Sequence, residues 1–463
     1  MRRENELRYT ELANILREQI YSGYIKPGEY LLSENRLSEY YGMSRTSVRA
    51  TLDKLMQEGL IVKQPSRGSM VSPDLIIPGE QHKTLQIVCT SPSEFMNACL
   101  PIVIETFERE HPHVKVKVIG YPAGSFWDCL NGGMEPDLLL ITDRQYADIE
   151  SDEAFGEFHV SVSKSASGIY PKLLSAFRGD GKFKAIPVTF STIFMAYNPG
   201  LFEKYNVPKP TADWVREDLL RAAQKLTLDT NGDGITDQYG LSLSSTFSRW
   251  LVFALQNDVR FFTKSDQIES LQNSLDFIHD LLFRYKIATL FQSRRFLING
   301  DAFPRQRAAM VLTTSMELAG WRKQMPFEPQ VTAMPFGPSE ATTAVANLFA
   351  IPSTCRNYEL ANLFVQTAIR EDVQKTMVER TRFISVLKQV NPQVWSDDYL
   401  HSLNIHNGDI ENSYFLHELF PNPIDILDLE QGMEWFWAGL EPAASFAGQL
   451  HDIIARRFSD NRA

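Results

Sequence analysis

Arg45 and Arg49 stand four residues apart, the spacing that sets two guanidinium groups on one flank of a helix. An arginine can give two hydrogen bonds to a guanine edge, and Thr46 beside them can reach a base or a phosphate. Ser44, immediately ahead, is a residue type that caps helix N-termini. A second group, Asp229, Asn231, Asp233 and Asp237, occupies positions 1, 3, 5 and 9 of a calcium-loop pattern, with Gly234 at its turn. Position 12 is Gly240, where a calcium loop needs a bidentate glutamate. The stretch is therefore either a structural calcium site or a metal-free turn held by its own Asx side chains. His111 and His113 bracket Pro112 without a Cys or acid cluster, and His401, His406 and His417 are scattered. Cys89, Cys99, Cys129 and Cys355 have no CxxC spacing and read as buried thiols. No Ser-His-Asp grouping or phosphate loop is recognisable. The chain therefore reads as a non-enzyme that requires no cofactor.

These side chains need elements to hold them. Leu12, Ile15, Leu16 and Ile20 predict a helix from about Tyr9 to Tyr21, stopped at Gly23. Ser33 caps a second helix with Leu37 and Tyr40 inward, ending at Gly42. The third helix, Arg45 to Glu58, carries a stripe of Val48, Leu52, Leu55 and Met56 and closes at Gly59. Leu60–Lys63 and Ser69–Val71, either side of Pro65-Ser66-Arg67-Gly68, read as a β-hairpin wing. By spacing alone this is either a winged helix-turn-helix, whose second motif helix enters the major groove, or an amphipathic bundle with incidental arginines.

The chain has 463 residues, which implies about three structural units. Its net charge of −11 argues against nucleic acid only if that charge is evenly spread. Residues 1–75 hold 11 Lys+Arg and 10 Asp+Glu, and the remainder 35 and 47, so the acidity belongs to the C-terminal part. No run reaches the roughly 18 apolar residues of a membrane helix, so no membrane partner is expected. The start MRRENELRYT lacks the apolar core of a secretory signal, which predicts a cytoplasmic location.

The stretch SENRLSEYYGMSRTSVRATLDKLMQEGLI resembles the signature of the GntR family of bacterial regulators, over roughly residues 8–71. The resemblance implies an α+β winged helix-turn-helix that binds double-stranded operator DNA as a homodimer. It places Ser44, Arg45, Thr46 and Arg49 on the DNA and Arg67-Gly68 at the wing tip. Where the family often has an arginine after S-E, this chain has Asn35, with Arg36 next to it.

Beyond residue 83 lie about 380 residues. Leu85–Val88, Val114–Val118 and Leu138–Ile141 read as strands and Ile102–Glu110 as a helix, an order that suits an α/β sheet. A pyridoxal-phosphate aminotransferase-like domain would need a Schiff-base lysine. Ser161-Val162-Ser163-Lys164 lies too early for that fold and lacks its continuation, so Lys164 reads as a surface lysine. The better fit is a series containing IPVTFST…YNPG, DTNGDGITDQYG and AAMV. It resembles extracellular solute-binding proteins of the sugar-transporter type, over about residues 84–390.

That resemblance implies a two-lobed, periplasmic-binding-protein-like (type 2) α/β domain, with crossings near Ile186–Ser191 and Ala333–Phe336. The expected organisation is a DNA reader at 1–73, a linker at 74–83 and a ligand sensor at 84–463. A Trp214-containing helix and a helix from Tyr358 to Ile369 are expected within the sensor. Sugar sites combine aromatic faces with convergent polar groups. On that basis Asp143, Thr189, Phe190, Trp250, Ser315, Met316, Trp321 and Asn347 are the candidate ligand residues. The function expected is effector-controlled transcription, the effector being a small solute of carbohydrate type. The competing readings are the aminotransferase-like regulator and a solute-binding protein with a vestigial N-terminal domain.

Overall fold

The computed structural model describes residues 2–21, 24–65, 67–75, 83–149, 166–179, 182–261, 267–291, 302–322, 324–405 and 409–457. It falls into two compact units, residues 1–86 with 103–118, and residues 87–102 with 119–463. No helix among the described residues is long and apolar enough to cross a membrane.

Within the first unit, the described residues up to 75 form three helices, α1 (Arg2–Tyr21), α2 (Glu34–Tyr40) and α3 (Arg45–Gln57), and a hairpin of β1 (Ile61–Gln64) with β2 (Gly68–Val71); residues 83–86 and 103–118 of the same unit belong to elements of the sensor sheet and to helix Leu100–Glu110. The caps explain the boundaries. Ser33 Oγ accepts the Arg36 N–H and Ser44 Oγ accepts the Ser47 N–H, so each helix start satisfies one of its orphan donors. Gly42 and Gly59 stop the two helices at φ +61° and +76°, left-handed values that favour glycine. Leu12, Leu16, Ile20, Leu37, Val48, Leu52 and Leu55 close one core with Ile61 and Val71 of the hairpin. The hairpin pairs antiparallel from Ile61↔Val71 to Gln64↔Gly68, and Tyr30 bridges Met70 beside it. Helix α1 begins seven residues before the expected Tyr9. RRENELRY contains neither Gly nor Pro and is rich in helix formers, so nothing stops the helix from extending upstream. Gly23, Ser66 and residues 76–82 of the expected linker lie outside the described residues.

In the sensor, six strands form one sheet: β3 (Lys83–Thr90), β4 (Val114–Tyr121), β5 (Leu138–Thr142), β8 (Ile186–Thr192), β14 (Thr342–Ala350) and β15 (Ser413–Tyr414). The order is β15-β14-β5-β3-β4, with β8 pairing β14. The short hairpin β6 (Arg178–Gly179) and β7 (Lys182–Phe183) precedes β8. The second sheet joins β9 (Phe194–Tyr197), β10 (Tyr239–Ser244), β11 (Ala288–Phe291), β12 (Ala308–Thr313) and β13 (Gln330–Thr332), in the order β11-β10-β12-β9-β13.

The chain crosses between the sheets at Ile193, between β8 and β9, and again over residues 333–341, between β13 and β14. The expected Ile186–Ser191 is strand β8 itself, with the first crossing just beyond it, and the expected Ala333–Phe336 lies within the second. A third was not anticipated. After β15 the chain passes to Leu416, Leu419 and Phe420, which pack into the second lobe's core with the C-terminal helices Pro423–Trp437 and Ala443–Arg457. The Trp214 expectation is corrected. Its helix starts at Arg216, because Asp218 accepts the Val215 N–H and caps the helix there, leaving Trp214 in the preceding turn. The helix Tyr358–Ala368 ends one residue short of expectation.

Candidate functional site

Helix α3 divides its residues cleanly. Ser47, Val48, Thr51, Leu52 and Leu55 are buried, while Ser44, Arg45, Thr46 and Arg49 are exposed on its first turns. Thr51 Oγ1 donates to the Ser47 carbonyl at 3.0 Å, so its hydroxyl is satisfied inside the helix. Arg36 is exposed on α2, and Arg67 and Gly68 are exposed at the hairpin tip, where Gly68 has φ +106°. The DNA-binding candidates are thus solvent-facing side chains mounted on a core-packed frame. Sequence reasoning missed one partner. Arg49 Nη2 donates to Glu34 Oε2 at 2.8 Å, a pair whose members are 15 residues apart on different helices.

In the sensor, four expected ligand residues come together with the side chains of Ser191, Arg249, Thr313 and Glu317. Asp143 Oδ1 accepts the Ala346 N–H at 2.9 Å. Asn347 Nδ2 donates to Met316 Sδ at 3.4 Å, and the Ser315 N–H donates to Ser191 Oγ at 2.9 Å. Arg249 Nη2 donates to Glu317 Oε2 at 2.7 Å, and Thr313 Oγ1 donates to the same oxygen at 2.8 Å. Two of these contacts, Ser315 to Ser191 and Asn347 to Met316, join the first-lobe strands β8 and β14 to the second-lobe helix Ser315–Trp321. Burial pushes the Asp143 carboxyl up to about 7, against the Ala346 hydrogen bond and the charges of Arg144 and Arg249. Arg249 Nη1 and Ser315 Oγ are buried polar atoms with no hydrogen-bond partner among the described residues. Unused buried donors are costly to leave unpaired, so this junction is suited to a hydroxyl-bearing ligand rather than to an apolar one.

Four ligand candidates do not reach it. Phe190 is fully buried with its ring 5.4 Å from Tyr170, and Thr189 Oγ1 is spent on the Ile384 carbonyl at 2.7 Å. All seven residues of β8 are buried, so neither can present a face to solvent. Trp250 is 2% exposed, wedged between Phe247 and Phe446 at 5.2 and 5.8 Å. Trp321 is buried beside Phe303. The expected aromatic platforms are core residues, because a large ring stabilises more by burial inside a lobe than at its edge.

Separately, Tyr121, Ser125, Asp128, Gly132, Gly133 and Met134 line a recess of about 410 Å³ that none of the expected residues enters.

The acidic side chains of this loop accept hydrogen bonds from its own backbone. Asp229 accepts the Gly232 and Gly234 N–H groups at 2.7 Å each, Asn231 accepts that of Asp233, and Asp233 accepts that of Ile235. Asp237 takes the Thr230 N–H and hydroxyl and pairs with Arg307 at 3.2 Å. The carboxylate oxygens are occupied by the loop itself, and the described residues hold no cluster of three His, Cys, Asp or Glu fit for a metal ion.

Cys89 and Cys99 are buried, their thiols pushed up by burial to about 11 and about 12. Cys355 is half-buried, and the side chain of Cys129 lies outside the described residues. His417 Nε2 bonds the Ala176 carbonyl at 2.8 Å inside the core. His406 and Lys164 lie outside the described residues.

A family model described as bacterial extracellular solute-binding protein matches residues 103–401, and one for bacterial regulatory proteins of the gntR family matches residues 8–71. The HTH-type transcriptional repressor NagR of Bacillus subtilis is 38% identical over 64 residues, 14% of this chain and 26% of that protein. The mannosyl-D-glycerate transport/metabolism system repressor MngR of Escherichia coli is 32% identical over 68 residues, 15% of this chain and 28% of that protein. The chain thus matches only about a quarter of each relative's length.

Among solved structures, the substrate-binding protein Lmo0181 from Listeria monocytogenes in complex with cycloalternan has a TM-score of 0.68 at 20% identity, covering 81% of this chain and 99% of that one. The GacH receptor of Streptomyces glaucescens, solved unliganded and with acarbose, has a TM-score of 0.69 at 19% identity, covering 82% and 100%. The maltose/maltodextrin-binding domain MalE from Bdellovibrio bacteriovorus bound to maltotriose has a TM-score of 0.63 at 18% identity, covering 81% and 100%. At such identities the likeness is one of fold. It sets aside the aminotransferase-like reading, because the second domain is a two-lobed periplasmic-binding-protein-like fold.

Proposed function

This chain belongs to the bacterial extracellular solute-binding proteins and carries a gntR-family DNA-binding domain in front, and from that premise we propose a cytoplasmic transcriptional regulator controlled by a carbohydrate. The reader binds operator DNA as a homodimer through Arg36, Ser44, Arg45, Thr46, Arg49 and the wing tip at Arg67-Gly68. The effector binds between the two lobes of the sensor, and neither domain performs catalysis. The observation that carries this reading is the junction of Asp143, Ser315, Asn347, Arg249 and Glu317, where two buried donors lack partners in a fold whose neighbours hold cycloalternan, acarbose and maltotriose. Hydroxyl groups of a sugar supply what those donors lack. Binding then stabilises one arrangement of the lobes. It changes operator affinity only to the extent that the effector prefers that arrangement.

The test is a thermal-shift screen against maltotriose, acarbose, cycloalternan and monosaccharides, followed by DNA binding with and without the sugar that scores. A bound sugar at about a hundred times its Kd adds about 2.7 kcal/mol of stability, a shift of several degrees. If no sugar moves the midpoint, the carbohydrate assignment fails. If a sugar moves the midpoint but not the DNA affinity, the regulatory assignment fails.

A further inference from the structure

Glu34 is the first residue of α2 and faces the exposed flank of α3. Its Oε2 accepts from Arg49 Nη2 at 2.8 Å, and its Oε1 lies 3.5 Å from Arg49 Nε. The Arg49 hydrogen bond, with the fields of Arg49, Lys63 and Arg45 added, holds the Glu34 carboxyl below the ordinary carboxylate range. One ionised carboxylate thus sits among three cations, two of them on the helix that the reader offers to DNA. Arg49 keeps 61% of its side chain exposed. An ion pair this exposed adds little to stability, so the fold alone gives no reason for it. Its cost on DNA is direct, since a carboxylate repels phosphates and occupies two of the donors an arginine would give them.

We propose that Glu34 is a specificity-determining positioning residue, which holds the Arg49 guanidinium in one orientation and withholds it from phosphates until a matching base edge meets its free donors. This rests on the reading that α3 enters the major groove. Random-sequence DNA, which offers mainly phosphates, is bound weakly because Arg49 remains on Glu34. At the operator, Arg49 has its outward N–H groups already aimed, and Glu34 stays behind it as a second acceptor. Glu34 therefore lowers background binding more than operator binding and widens the ratio between them.

The test uses the full chain and two probes: a random-sequence duplex, and duplexes enriched from a random library by the unaltered protein. With Glu34→Gln, affinity for the random-sequence duplex rises about tenfold at about 50 mM salt, and the salt slope steepens by about 0.9, the value of one added phosphate contact. The ratio of enriched to random affinity falls by a similar factor. On an Arg49→Ala background the same Glu34→Gln change has less than about a twofold effect, since the two residues act as a pair. Unaltered random-sequence affinity and salt slope in Glu34→Gln overturn the proposal. So does an equal effect on the Arg49→Ala background, which assigns it to bulk charge. If Arg49→Ala alone leaves both probes bound as before, it is the groove reading of α3 that falls. Melting midpoints of each variant, expected to match the unaltered protein, separate these outcomes from loss of fold.

Discussion

Asp143→Asn should flatten the response of stability to pH, and the size of the effect follows from where the carboxyl sits. Asp143 is 5% exposed, and its pKa is pushed by burial from 3.8 to about 7. In the unfolded chain the same carboxyl titrates near its ordinary value. Between about pH 4 and pH 7 the folded protein therefore keeps a proton that the unfolded chain has released. The unfolded state binds fewer protons there, so stability falls as pH rises through this window and is flat beyond it. About three units at about 1.4 kcal/mol each make a loss on the order of 4 kcal/mol at neutral pH and above.

Asparagine offers an oxygen to the same Ala346 N–H and carries no charge. At about pH 8 the variant should exceed the unaltered protein by on the order of 2–4 kcal/mol, and at about pH 4 the two should agree within about 1 kcal/mol. The assay is urea unfolding over a pH series, read as the difference between variant and unaltered protein because the chain has more than one unit. Parallel pH curves for the two proteins would refute the reasoning, since Asp143 would then titrate alike folded and unfolded.

Three further outcomes follow. Trp250→Ala should cost about 3–5 kcal/mol of sensor stability by urea unfolding, because it empties a core site between Phe247 and Phe446, whereas Trp250→Phe should leave the affinity for any bound sugar within about twofold. Gly337→Ala should destabilise by about 3 kcal/mol or more, since a Cβ there falls inside the van der Waals radius of the Gln256 carbonyl at the second crossing. A calorimetric midpoint within about one degree of the unaltered protein would count against that packing. Arg144 of the first lobe is bidentate to Glu430 at 2.6 and 2.7 Å, on the helix packed into the second lobe's core. Glu430→Gln should cost only about 0.2–1 kcal/mol of stability yet open the lobes, which small-angle scattering would register as a larger radius of gyration.

The DNA reader was legible almost residue by residue because its determinants are local. Ser33 and Ser44 cap, Gly42 and Gly59 stop, and the buried set Val48, Leu52 and Leu55 repeats at helical spacing. The start of α1 was misplaced, since helix formers without a stop signal leave the boundary open, and Tyr40, expected inward on α2, is 73% exposed. The sensor's first strands were legible for the same reason. The third crossing was not, because nothing in the segment after Tyr414 says that Leu416 and Phe420 belong to the other lobe.

The candidate ligand set divides along the same line. Asp143, Ser315 and Met316 stand at helix starts and Asn347 at the bulge within β14; all are polar or flexible, and the fold brings them together. Phe190, Trp250 and Trp321 were chosen by ring type, which signals a large apolar area but not which side of a lobe will cover it. Caps, stops, periodicity and the split of charge between reader and sensor are properties of neighbours in the chain, and the sequence determined them by short-range backbone sterics and hydrogen bonding. The partners of Arg49, Arg249 and Arg144 lie 15, 68 and 286 positions away, and only the packing of helices and sheets could decide them. A charged side chain takes whichever acceptor the tertiary structure places within hydrogen-bonding reach.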